Sequence, residues 1–224
     1  MFKRRLLLFT LVLASLTLPL IGTPPVFSSA QADNRKTSTP YTGDLSIFDS
    51  PGRDGRLQVN RIMDILGIGP GKNVADIGAG SGWFTVRAAK RVGEGGIVYA
   101  VDINPAAIQY ITDRARKENL PNITTILSHS DDPSLPTNSV DAVLLLKTYH
   151  EVAQPETLLR NLRAALRAGA RVGIIDRNGN GENHGVARDV VLREASASGY
   201  ELTAKYDFVK GDNMDYFLVF AARP

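Results

Sequence analysis

The sequence contains no cysteine, which excludes disulfides, thiolate metal centres and a thiol nucleophile, and with them thiol-based arsenic methylation. Tryptophan occurs once and histidine only three times, and no two histidines have the short spacing of a metal-ligand motif, so no metal is expected. There is no internal repeat and no composition break that would mark a second folded domain. An excess of positive charge is also missing once the N-terminus is set aside. Lys3, Arg4 and Arg5 are the only charged residues of 1–32, so 26 basic and 23 acidic side chains over the whole sequence become an even balance over 33–224. The basic isoelectric point therefore gives no reason to expect a nucleic-acid partner.

Residues 1–32 have the layout of a secretory signal peptide. The basic start is followed by an apolar stretch from Leu6 to Ile21, then Pro24, Pro25 and a small-residue run ending Ala30-Gln31-Ala32. Cleavage after Ala32 is expected, giving an exported protein, periplasmic or secreted. The alternative is a membrane anchor over residues 6–21. The run approaches the ~17–25 residues that cross a bilayer, but Thr10, Ser15, Thr17 and Pro19 weaken it. Arg4-Arg5 is also compatible with twin-arginine export. Residues 33–55 are polar and read as a tether or partial lid, to which Tyr41, Arg53 and Asp54 belong, with Arg56 directly after them. Residues 56–224 remain as one α/β domain.

Within that domain the chain turns on Val74-Ala75-Asp76-Ile77-Gly78-Ala79-Gly80-Ser81-Gly82-Trp83, which reads as strand, tight loop and helix. Glycine at alternate positions strips side chains from the loop, so a ligand can lie on the backbone beside the unpaired N–H groups of the following helix. Helical spacing of Val59, Ile62, Met63 and Leu66 predicts a helix before this strand. Strands are expected at 97–102, 123–127, 140–146 and 171–176. Helices are expected at about 83–92, after the Asn104-Pro105 cap, from Pro155 to a stop at Gly169, and over about 186–198. Residues 200–209 and 216–221 predict a closing hairpin. The fold expected is α/β: a doubly wound, Rossmann-like sheet with helices on both faces.

Ligands in such sheets bind beyond the carboxyl ends of the strands. The first strand delivers Asp76, Gly78, Ala79, Gly80 and Gly82. The second delivers Asp102 with Ile103, the third Ser130 and Asp131, the fourth Lys147-Thr148-Tyr149-His150, and the fifth Asp176-Arg177. All three histidines, His129, His150 and His184, follow strand ends. Asp102 stands where a carboxylate accepts the hydroxyls of a ribose, a position that also suits a dinucleotide oxidoreductase. However, the glycines run Gly-x-Gly-x-Gly and the carboxylates are many. They repel a pyrophosphate and favour a cationic nucleoside without phosphates.

The segments Ala75–Gly82, Tyr99–Asp102, Ser130-Asp131, Ser139–Val143 and Leu166–Arg171 resemble the ordered motifs of class I S-adenosylmethionine-dependent methyltransferases, over about residues 57–221. That resemblance implies a seven-stranded sheet with its last strand inserted antiparallel. It also implies S-adenosyl-L-methionine as cofactor, with Asp76 and the glycines at its methionine end, Asp102 at the ribose and Asp131 at the adenine, and a small-molecule acceptor. Arg167-Ala168-Gly169-Ala170 departs from the family's usual Pro-Gly-Gly. Among the residues beside the cleft, His150 is the candidate general base and Tyr149 a candidate wall of the acceptor pocket. An NAD-dependent oxidoreductase and a non-catalytic exported cofactor-binding protein are the alternatives carried forward.

Overall fold

A computed structural model describes residues 35–38, 40–181 and 183–224; the expected leader at 1–32 lies outside them. The seven strands are β1 (Val74–Ile77), β2 (Val98–Asp102), β3 (Ile123–Leu127), β4 (Val140–Leu146), β5 (Leu166–Asp176), β6 (Tyr200–Tyr206) and β7 (Tyr216–Ala222). They form one sheet in the order β3-β2-β1-β4-β5-β7-β6. β1 to β5 pair in parallel, and β7 lies antiparallel between β5 and β6. The order reverses between β1 and β4, so a crevice opens beyond their carboxyl ends.

The helices are α1 (Arg53–Leu57), α2 (Val59–Leu66), α3 (Trp83–Val92), α4 (Pro105–Lys117), α5 (Pro155–Leu162) and α6 (Arg188–Ala197). Alternation along the strands sends side chains to two cores. Val143 and Leu145 of β4 pack with α5 and α6 through Leu158, Leu162 and Val191. Ala142 and Leu144 pack with α2 and α3 through Ile62, Leu66 and Phe84 on the other face. A strand covered on both faces reads as an unbroken apolar run, which is why β4 was recognisable. Asn104 caps α4 as expected, accepting the N–H of Ala106 at 2.9 Å. Among the described residues no helix is long and apolar enough to cross a membrane.

One element differs from the sequence reading. The helix opened by Pro155 ends at Leu162, passes through a 3-10 turn at Arg163–Ala165 and becomes strand at Leu166, so Gly169 stops no helix. The β4–β5 register jumps from Val140↔Leu166 to Ala142↔Arg171. Gly169, at φ 77°, lies in the resulting bulge.

Candidate functional site

A cavity of about 680 Å³ lies beyond the carboxyl ends of the parallel strands. Its floor is the turn after β1. Gly78 is left-handed there (φ 72°), and a Cβ would collide with the Thr148 side chain, so only glycine lets the two loops meet. Gly80 donates its N–H to Asp102 Oδ2 at 2.9 Å, while Asn104 donates to Oδ1 at 2.9 Å. Each oxygen keeps a second lone pair, and Asp102 lines the cavity with Ile103. Burial raises the Asp102 carboxyl against these backbone donors, with Glu151 adding repulsion.

Asp76 is 2% exposed. Thr85 Oγ1 donates to its Oδ2 at 2.6 Å. Burial pushes the carboxyl up to about 6 against that hydrogen bond, with Asp102 adding to the rise. A buried carboxylate on a cavity wall is completed by a cation such as a ligand ammonium. Ala79, Ser130 and Lys147 line the same cavity. Lys147 is left-handed (φ 55°). Burial lowers its ammonium, as do Arg53 and Arg177.

Three expected site residues have other places. Gly82 is not on the cavity: it precedes α3 in a left-handed turn, and a Cβ there would press on Ile111 at 3.1 Å, so its role is packing. Asp131 is also off the wall. Ser128, His129, Ser130 and Pro133 line that end instead, and the Asp131 carbonyl accepts from Asn161 at 2.8 Å. Tyr149 is fully buried in the core below α6, its hydroxyl donating to Glu194 at 2.8 Å. After Lys147 the chain enters a 3-10 turn, Tyr149–Glu151. Successive side chains of such a turn point about 120° apart, so His150 faces the cavity and Tyr149 faces away.

His150 is 1% exposed. Its Nδ1 lies 2.9 Å from both Asp176 oxygens, and its backbone N–H donates to Asp176 Oδ2 at 3.1 Å. Nε2 is buried without a hydrogen-bond partner. The Glu151 carboxylate is 3.7 Å away, beyond hydrogen-bond range. Burial opposes charge on the ring, but Asp176 and Glu151 outweigh it and hold His150 up to about 9. His150 thus stands on the cavity where its position in the sequence placed it, and a ring so held donates at neutral pH and accepts only after losing that proton. All three histidines reach the cavity, the ring of His184 standing edge-on to His150 at 5.7 Å.

Residues before α1 close over the opening. Tyr41, Leu45, Ile47 and Phe48 line the cavity, with Arg53 at the start of α1 beside them. Asp49 ties this segment to the glycine turn, accepting from Arg114 at 2.9 Å and from Ser81 at 3.3 Å. Asp54 and Arg56 lie off the cavity, paired with Arg87 and Asp212. Arg177, Glu151, Phe48 and Leu158 carry no local motif, and only their place in the fold brings them to the site.

Residues 74–169 match the profile of a family described as a methyltransferase domain. Aklanonic acid methyltransferase DauC of Streptomyces sp. (strain C5) is 30% identical over 57% of this chain and 54% of its own length. Nocamycin O-methyltransferase of Saccharothrix syringae is 27% identical over 57% of this chain and 46% of its own. The chain thus spans about half the length of the curated relatives it matches. Among solved structures, a SAM dependent methyltransferase from Aquifex aeolicus superposes with a TM-score of 0.72 at 23% identity, over 80% of this chain and 98% of its own. These matches lend nothing to the oxidoreductase alternative. The acid in β1, the carboxylate ending β2 and the bare turn between them fit a cationic, phosphate-free nucleoside. Residues 74–169 thus carry a methyltransferase domain, and the chain is built on the fold of a SAM dependent methyltransferase.

Proposed function

We propose that this protein methylates a small molecule outside the cytoplasm, drawing the methyl group from S-adenosylmethionine. One juxtaposition carries the reading: Asp76 and Asp102 open into the same cavity as the buried, unpartnered Nε2 of His150. S-adenosylmethionine, when bound, supplies a methyl group on a sulfonium that is already a good leaving group. Asp76 would then hold the ammonium, Asp102 would accept the ribose hydroxyls, and Ser128–Ser130 with Pro133 would border the base.

Methyl transfer is an in-line displacement, so the chain's remaining work is to align the acceptor and exclude water. Phe48 and Leu45 cover the opening, and His150, Glu151 and Arg177 supply the polar groups of the acceptor end. Apolar cover over a few polar groups suits a small, oxygen-bearing acceptor. The names of the relatives, an aklanonic acid methyltransferase, a nocamycin O-methyltransferase and a ubiquinone/menaquinone biosynthesis C-methyltransferase, support that class. Export is supported by the leader-like residues 1–32.

Calorimetry of the full chain with S-adenosylmethionine, S-adenosylhomocysteine and NAD tests the cofactor reading. Binding of the first two without NAD is expected, and NAD binding in their place overturns the proposal. Cofactor binding without turnover over a panel of oxygen-bearing acceptors favours the non-catalytic alternative. A reporter active only outside the cytoplasm, fused after residue 32, tests export; a silent reporter removes that part.

A further inference from the structure

At the acceptor end three side chains converge with their ligating atoms unspent. His150 Nε2 is buried and partnerless. Among the described residues neither the Glu151 carboxylate nor the His184 ring makes a hydrogen bond. One ligating atom from each of the three lies within 4.8 Å of the others, on the cavity wall. We propose that His150, Glu151 and His184 form a binding site for one divalent transition cation at the acceptor end of the cavity.

The support around the three residues is that of a metal site. A metal-bound imidazole characteristically passes its other N–H to a carboxylate, which fixes the tautomer and the ring plane. Asp176 does this for His150: it is fully buried and holds Nδ1 at 2.9 Å. Nε2 is thereby directed at the cavity, where a cation takes the place of the proton that nitrogen otherwise carries. His184 is held through its backbone and left free at its ring. Its N–H donates to Ser38 Oγ at 2.8 Å, Arg177 Nε donates to its carbonyl at 3.3 Å, and its left-handed φ of 56° turns the chain at that point. Arg177 is thus bent back onto the loop. Glu151 follows His150 in the 3-10 turn, its carboxylate 3.7 Å from Nε2.

Ligand atoms around a tetrahedral ion with bonds of about 2.1 Å stand roughly 3–3.5 Å apart. Rotation of the exposed His184 ring and of the Glu151 side chain closes the difference without moving the buried His150. Two imidazoles and one carboxylate favour zinc, manganese or iron over magnesium and calcium, which take oxygen ligands. Three protein ligands leave positions open. If the methyl-transfer reading above holds, an acceptor oxygen occupies one of them, and the ion orients that oxygen. The site itself does not depend on that reading.

The test is calorimetry with zinc chloride alone, on the full chain stripped with chelator and carrying no polyhistidine tag. One ion per chain is expected, bound at least tenfold more tightly than magnesium. His184→Ala and Glu151→Gln should each weaken zinc binding tenfold or more, with melting temperature and circular dichroism as controls of folding. Asp102→Asn should leave zinc binding intact while weakening S-adenosylhomocysteine, so loss of one ligand is separable from loss of the other. No zinc binding by the wild-type chain at up to about a millimolar, the weak end for a specific site, overturns the proposal. So does a loss of less than threefold in either ligand variant.

Discussion

The floor of the cofactor end is assembled within one stretch of chain, from β1 to the end of β2, and the acceptor end draws on segments as far apart as Ser38 and His184. Asp76 meets Thr85 nine residues on, and the Gly80 amide meets Asp102 22 residues on. At the other end His150 meets Asp176 across 26 residues, and His184 is fixed by Ser38 across 146. The materials differ too: backbone amides in and after the turn hold the Asp102 carboxylate at the first end, whereas the side chains of Asp176 and Ser38 hold the two histidines at the second. Backbone donors survive changes of side chain, so the cofactor end can stay constant while the acceptor end varies with substrate.

The largest expected effect falls on the acceptor end. Asp176 is fully buried and binds both the ring and the backbone of His150, as well as the Arg177 amide at 2.8 Å. Removing one partner of a buried charged pair costs about 3–5 kcal/mol. Asp176→Ala should therefore lower folding stability by that amount in denaturant titration, and the remaining folded protein should still bind S-adenosylhomocysteine. A drop below about 1 kcal/mol, the scale of a single net hydrogen bond, would show that the two ends do not differ as described.

Asp76 has the opposite sign. Its carboxyl titrates near 6 in the folded protein against 3.8 ordinarily. Below the ordinary value both states are neutral and burial carries no charge penalty. As the pH rises from there through about 6 the unfolded chain ionises first, so stability falls, and above that the loss levels off at roughly 3 kcal/mol. Asp76→Asn should recover about that much at pH 8 and nothing near pH 3.5, read from unfolding curves at the two pH values. It should lose S-adenosylmethionine affinity in exchange. A residue that destabilises the empty fold and secures the ligand is what a binding site holds ready. Equal stability of the two proteins at pH 8 would remove that account.

The contrast between the ends also explains what was legible in the sequence. Strands buried on both faces, Gly78 and Gly80 in their turn, Asp102 at a strand end and the Asn104 cap are local patterns, and each stands where its pattern placed it. Tyr149 went astray because one residue decides which way a 3-10 turn aims a side chain. Asp131 did so because its loop turns at Asp132, whose Oδ1 accepts the Ser134 N–H at 2.7 Å. Gly169 has the same look in a bulge as at a helix stop. Glu151 had no motif to announce it, and the pairing of His150 with Asp176 depends on β4 and β5 lying side by side.

A smaller effect is expected from Asp102→Asn. The carboxylate accepts two backbone amides in the protein and offers its remaining lone pairs to the cavity. The amide side chain has one acceptor oxygen in place of two, and hydrogen bonds to a charged group contribute about 1.5–3 kcal/mol. S-adenosylhomocysteine should bind roughly 10- to 100-fold more weakly, that energy converted to affinity. Affinity within threefold of wild type would move the ribose elsewhere.

The smallest effect locates the lid relative to the two ends. The Phe48 ring lies over Gly80 and meets Tyr41 edge-on at 5.5 Å, so it belongs to the cofactor end. Asp44 caps the turn Leu45–Asp49 by accepting the Ser46 N–H at 2.9 Å, and Asp49 holds Arg114. Neither contact uses the Phe48 side chain, so Phe48→Ala should remove the ring and leave the segment folded. Losing part of the apolar cover costs about 1 kcal/mol, or roughly fivefold in S-adenosylhomocysteine affinity. Melting temperature and zinc binding should change little. If zinc binding weakened and cofactor binding did not, the lid would belong to the acceptor end, and the division between local and long-range assembly would have to be redrawn through the segment before α1.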